Sequence, residues 1–170
     1  MMETLYVSQM DSPLGNIYLG ATKKGVCKIS LQDEAGFYDW LFKHVDAVEA
    51  KVQNYYQIKS VKVALRRLFA GRSAQAAGLT LDLRGSIFQV KVWQVLLDIP
   101  FGQTSTYGEL ADQIGYLNAA RAVGQACGAN PLPLLVPCHR VVGADGKMGG
   151  YAAGTKVKEY LLKLEGALLV

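Results

Sequence analysis

At 170 residues, with 51% hydrophobic residues and a formal net charge of +4, the chain is long enough for one ordinary domain or two small ones and can bury a core. No apolar stretch approaches the roughly 20 residues of a membrane span or forms a signal-peptide core, so the expectation is a cytoplasmic protein with no membrane partner. Three widely spaced cysteines in apolar surroundings, Cys27, Cys127 and Cys138, argue against a disulfide framework and a zinc site; free thiols, no metal and no cofactor are expected.

In chain order, Thr4–Val7 and Ile17–Leu19 read as strands around the turn-forming Asp11–Gly15, and Val26–Leu31 alternates after Lys24-Gly25. A small antiparallel sheet follows from this pattern. Amphipathic helices are expected near Phe37–Val48 and Val61–Ala70, and Leu79–Leu83 alternates again as a strand. Residues 1–84 therefore form an N-terminal α/β domain. After Arg84-Gly85-Ser86 the pattern turns helical. Phe88–Leu97 is closed by Pro100, Ser105 or Thr106 caps a helix running to Ile114, Gly115 ends it, and Asn118 caps another running to about Cys127. Residues 85–170 thus form a second domain with a helix-turn-helix outline.

Residues 1–84 carry 11 basic and 8 acidic side chains, against 7 and 6 in residues 85–170. A nucleic-acid partner of the second half would have to be held largely by backbone N–H groups and helix N-termini, with modest, salt-sensitive affinity.

The stretch from Asn130 to Val142 is the most unusual. Pro131, Pro133 and Pro137 forbid a helix and predict an extended, buried run with Cys138 at its end. A free thiol is only a few per cent ionised at neutral pH, so a nucleophilic role needs a neighbouring base or cation, and His139 and Arg140 are at hand. In an extended chain adjacent side chains point to opposite sides, so His139 reaches the sulfur through a bridging water unless the backbone turns sharply. The alternative is a structural cysteine beside a satisfied histidine.

Thr155–Leu164 reads as a helix with Val157, Tyr160, Leu161 and Leu164 inward, leaving Glu165 at its C-terminal end. An anion there opposes the helix dipole by a few tenths of a kcal/mol. Either it is a solvated surface glutamate, or a cationic partner such as His139 holds it.

Pro137-Cys138-His139-Arg140-Val141, together with Ile99–Ala111, Ala120–Gly124, Asn130-Pro131, Gly149-Gly150-Tyr151, Leu161-Leu162 and Glu165-Gly166, resembles the O6-alkylguanine-DNA alkyltransferases in both order and spacing. The likeness is strong over residues 85–166 and extends more weakly to Ser12–Gly15. It implies a ribonuclease H-like N-terminal domain and a winged-helix-like C-terminal one. The implied activity is direct reversal of DNA damage: Cys138 takes the alkyl group of O6-alkylguanine once and irreversibly. It further implies a water-bridged relay of Cys138, His139 and Glu165, with Asn130 bracing the active-site turn. Tyr107 would donate to the departing base, the backbone of Val141 and Cys138 would read its exocyclic amine, and Tyr151 would line the site. The implied partner is duplex DNA, entered from the minor groove by a single copy of the chain with the lesion turned out. Arg121, the only cation between Lys91 and Arg140, would fill the vacated space, while small residues including Ala120, Ala122 and Gly124 allow close approach. Arg140 is placed with the DNA contacts. Cys127 and Gly128 stand where relatives often have larger or basic residues, and Ala153 where glycine is common.

The nearest rival is an alkyltransferase-like sensor that binds lesions without repair; such proteins lack the acceptor cysteine, and Cys138 argues against it. A helix-turn-helix regulator leaves the Cys-His pair unexplained, and the bifunctional repair regulators need a cysteine-rich zinc module. A cysteine hydrolase would need further partners, and His44 is the only other histidine.

Overall fold

The computed structural model describes residues 2–51, 55–74 and 79–168. It divides into two compact units, Met1–Arg84 and Gly85–Val170. Among the described residues no helix is long and apolar enough to cross a membrane.

In the first unit β1 (Glu3–Met10), β2 (Ile17–Thr22) and β3 (Gly25–Leu31) pair antiparallel. The Asp11–Gly15 turn is set by Ser12, whose Oγ accepts from Leu14 N at 3.0 Å, and by Gly15 at φ 87°. α1 (Glu34–His44) is capped by Asp33 and buries Phe37 and Leu41 with Leu5, Val7 and Cys27. The helix expected to reach Val48 stops at Val45, a β-branched residue in extended conformation, and β4 (Ala47–Lys51) follows, parallel to β1. The sheet order β3-β2-β1-β4 adds a parallel edge strand to the expected antiparallel set. α2 (Tyr56–Phe69) begins before Val61 and packs Ile58, Val61, Leu65 and Leu68 inward, with contacts to β1, β2 and β3. Leu79–Leu83 is not a strand. It makes one isolated bridge, Val26 with Leu81. Beyond it Asp82 is drawn to Thr22 at 2.7 Å and to Arg84 at 2.7 Å, and Arg84 also holds Glu3 at 2.8 Å.

In the second unit α3 (Ile87–Leu96) starts with a capping box between Ser86 and Gln89, and α4 (Tyr107–Gln113) with one between Thr106 and Glu109. Gly85 is required where it stands, because a Cβ there would lie 2.4 Å from the Trp93 ring. Trp93 donates its indole N–H to Ala126 O at 2.8 Å, tying α3 to α5 (Ala120–Gly128). Asn118 does not cap α5. It adopts φ 63° within the turn from α4, and Ala119 takes the cap position without a side-chain bond. Residues 130–137 are not an extended strand either: Val136 N bonds to Leu132 O at 2.9 Å and Leu134 sits at φ 75°, so the prolines organise a sequence of turns. A single 3₁₀ turn, Cys138–Arg140, leads into β6 (Val141–Val142), parallel to β5 (Ser105–Thr106). α6 (Thr155–Leu164) turns Lys158, Leu161 and Leu162 inward, so its buried face lies one residue away from the expected one.

Candidate active site

Cys138, His139 and Arg140 occupy one buried 3₁₀ turn, which faces the C-terminal end of α6. Because the chain curls there, the two neighbours of the sulfur do not alternate as they would in a strand. Both reach Glu165. His139 Nε2 lies 2.7 Å from Glu165 Oε1, while Arg140 forks onto the carboxylate with Nε to Oε2 and Nη2 to Oε1, each at 2.9 Å. Gly102 N adds a bond to Oε2 at 3.2 Å, and Arg140 Nη1 donates to Ile99 O at 2.7 Å. The Ile99–Gln103 turn, with Gly102 at φ 80°, is thereby locked to the active-site turn. A glutamate that would be unfavourable at an exposed helix end is held by two side chains and a backbone amide.

Burial alone would raise the Glu165 pKa, but the bonds from His139 and Arg140 bring it down to about 2. Burial pushes the His139 imidazole below its ordinary range, against the opposing pull of Glu165. The ring is therefore neutral near pH 7. An ionised carboxylate only accepts, so Nε2 carries the hydrogen and Nδ1 a lone pair. Nδ1 is buried and has no protein partner.

Burial also pushes the Cys138 thiol up, with the Asn130 bond and the positive charge of Lys158 pulling against it. Asn130 sits beneath the sulfur: its Nδ2 donates to Val136 O at 2.9 Å and to Cys138 Sγ at 3.2 Å, and its Oδ1 accepts from Leu132 N at 2.9 Å. The expected activating cation Arg140 is committed to Glu165 instead. It is also 3% exposed, so it is not available to DNA, correcting its placement among the DNA contacts.

Cys138 opens onto a cavity of about 640 Å³ lined by Tyr107, Ala120, Arg121, Gly124, Cys127, Cys138, Gly150 and Tyr151, among others. Tyr107 leads α4 into it, half buried, its pKa raised by burial. Ala120, Gly124 and Gly128 give one face of α5, whereas Ala122 does not line the cavity. The Tyr151 hydroxyl is buried beside the sulfur without an aligned hydrogen bond.

Sequence reasoning missed one of these groups. Lys158 is fully buried and its Nζ donates to Val141 O at 2.5 Å and Gly150 O at 3.3 Å, joining the two segments that border the cavity. The signal was present: Lys158, Leu161, Leu162 and Glu165 share a helical face at steps of three and four. Cys127 faces the same cavity, its thiol pushed up to about 12 by burial and by Cys138. Among the described residues no cluster could hold a metal ion.

Residues 87–167 match the model of the 6-O-methylguanine DNA methyltransferase, DNA binding domain. A methylated-DNA–protein-cysteine methyltransferase of Methanosarcina acetivorans is 38% identical over 96% of this chain and 99% of its own length. This chain belongs to that family. A relative of the same name from Mycolicibacterium paratuberculosis is 55% identical over 92% of this chain and 89% of its own. The fold agrees with a crystal structure of Mycobacterium tuberculosis OGT in complex with DNA at a TM-score of 0.78 and 36% identity, covering 96% of this chain and 93% of that one. The family is thus one of α/β proteins with a small sheet and helices, and the architecture described above is of that kind.

Proposed function

We propose that this protein repairs DNA by transferring the alkyl group of O6-alkylguanine to Cys138, once per molecule. The observation that carries the reading is a buried thiol at the wall of a cavity of about 640 Å³, followed in the chain by a buried histidine whose Nε2 is held by Glu165 and whose Nδ1 has no protein partner. The Cys138 proton passes through a bridging water to His139 Nδ1, and Glu165 stabilises the imidazolium that forms. The thiolate displaces the alkyl carbon from O6; the S–C bond forms, the C–O bond breaks, and the electron pair leaves on the guanine. Tyr107 donates to the departing ring, and the carbonyls of Val141 and Cys138 accept from the exocyclic amine.

Duplex DNA is the partner, approached through α5 from the minor groove with the damaged nucleotide turned out. The free N–H groups of an uncapped helix start and the small residues Ala120 and Gly124 support close backbone approach, and Arg121 at the cavity mouth supports filling of the stack. The β3-β2-β1-β4 order with β4 parallel supports a ribonuclease H-like first domain, residues 1–84, and the short β5–β6 pair beside α4 and α5 a winged-helix-like second, residues 85–170. The side chains of the site all come from residues 107–165, which supports a single copy as the acting unit.

A Cys138→Ser variant tests the reading: it keeps lesion-selective DNA binding and loses transfer. Repair by that variant would refute Cys138 as acceptor, and a parent protein that binds lesions with no transfer would favour the sensor.

A further inference from the structure

Between Glu49 and Asp82 the chain has no carboxylate and six cations, Lys51, Lys59, Lys62, Arg66, Arg67 and Arg72, within a protein whose whole net charge is +4. Five of these lie on α2 or just beyond it. On α2, Lys59, Lys62 and Arg66 fall at steps of three and four, the spacing that puts side chains on one stripe, rising about 10 Å along the helix. Lys59 and Arg66 are exposed and Lys62 is partly so, opposite the buried Ile58, Val61, Leu65 and Leu68. None of the three forms an ion pair with a described residue. Arg66 and Arg67 in the last turn complement the helix dipole, but Lys59 in the first turn and Lys62 in the middle do not. A structural role therefore accounts for only part of the stripe. The second unit, which holds the active site, has a nearly balanced charge and must position DNA with few cations.

We infer that the Lys59-Lys62-Arg66 face of α2 is a second binding surface for the phosphate backbone of duplex DNA, outside the alkyl-acceptor unit. The inference rests on the repair reading for its choice of polyanion. Binding there is independent of sequence and of lesion. It supplies the retention on undamaged duplex that residues 85–170 are too weakly charged to provide.

The test compares the full chain with its Lys59→Ala/Lys62→Ala/Arg66→Ala variant on an undamaged duplex over a salt series. Three lost phosphate contacts flatten the dependence of log K on log salt by about 2 to 3. Transfer from free O6-methylguanine base stays at the parent rate, which verifies the fold, and a Lys59→Arg/Lys62→Arg variant retains the parent slope. An unchanged slope and affinity with transfer intact would overturn the inference, as would an effect confined to anionic lipid vesicles. If the parent transfers no alkyl group, the repair reading fails, while the two slopes still decide whether this face holds DNA.

Discussion

His139 and Glu165 meet at 2.7 Å with both side chains withdrawn from solvent, and the same carboxylate is gripped by Arg140. One anion therefore sets the histidine tautomer and neutralises a buried guanidinium. Glu165→Gln would leave Arg140 buried without a counter-charge and the imidazolium without support. Loss of stability by about 3 to 5 kcal/mol in urea unfolding is expected. Single-turnover transfer falls by roughly 10² or more at a denaturant-free pH where the variant remains folded.

The acid limit follows from the same residue. Glu165 titrates at about 2, below its ordinary 4.5, so its stabilising contribution is complete above 4.5 and is lost as pH falls towards 2. That contribution is roughly 3 kcal/mol. Urea midpoints measured from neutral to acid pH should decline through this window in the parent protein and decline less in Glu165→Gln.

Much of the site was legible in the sequence, because a proline-flanked Cys-His-Arg and a glutamate at a helix end are local anomalies. The curl that brings His139 and Arg140 to the same carboxylate was not. Prolines forbid a helix without choosing between an extended run and a series of turns, and that choice is made by Asn130, whose amide bonds two backbone groups and the sulfur. The buried face of α6 differs by one residue from the apolar one because Lys158, a charged side chain, finds backbone acceptors inside the protein. β4 was hidden because its pairing with β1 is non-local, and Asn118 because a left-handed turn residue and a helix cap share the same composition.

Asn130→Ala removes three hydrogen bonds at once, leaving Val136 O and Leu132 N buried without this partner. A loss of about 2 to 3 kcal/mol in urea unfolding is expected, with slower transfer from a misplaced sulfur. Retention of full transfer rate would assign Asn130 to stability alone.

Lys158→Met withdraws a buried positive charge that opposes the upward push on the Cys138 thiol. The pH profile of Cys138 alkylation by iodoacetamide should move to higher pH. A profile that stays in place would confine Lys158 to bridging Val141 and Gly150.

Tyr107→Phe keeps the cavity shape and removes the donor to the leaving base. Transfer should fall by roughly 10² with lesion affinity much less affected, as read by single-turnover rates against binding isotherms.

The most direct measurement is intact-mass analysis after incubation with O6-methylguanine duplex, followed by peptide mapping. A gain of one methylene-equivalent on every active molecule, located on Cys138, is expected. A folded, DNA-bound sample with no added mass, or with the group on Cys127 or Cys27, would contradict it.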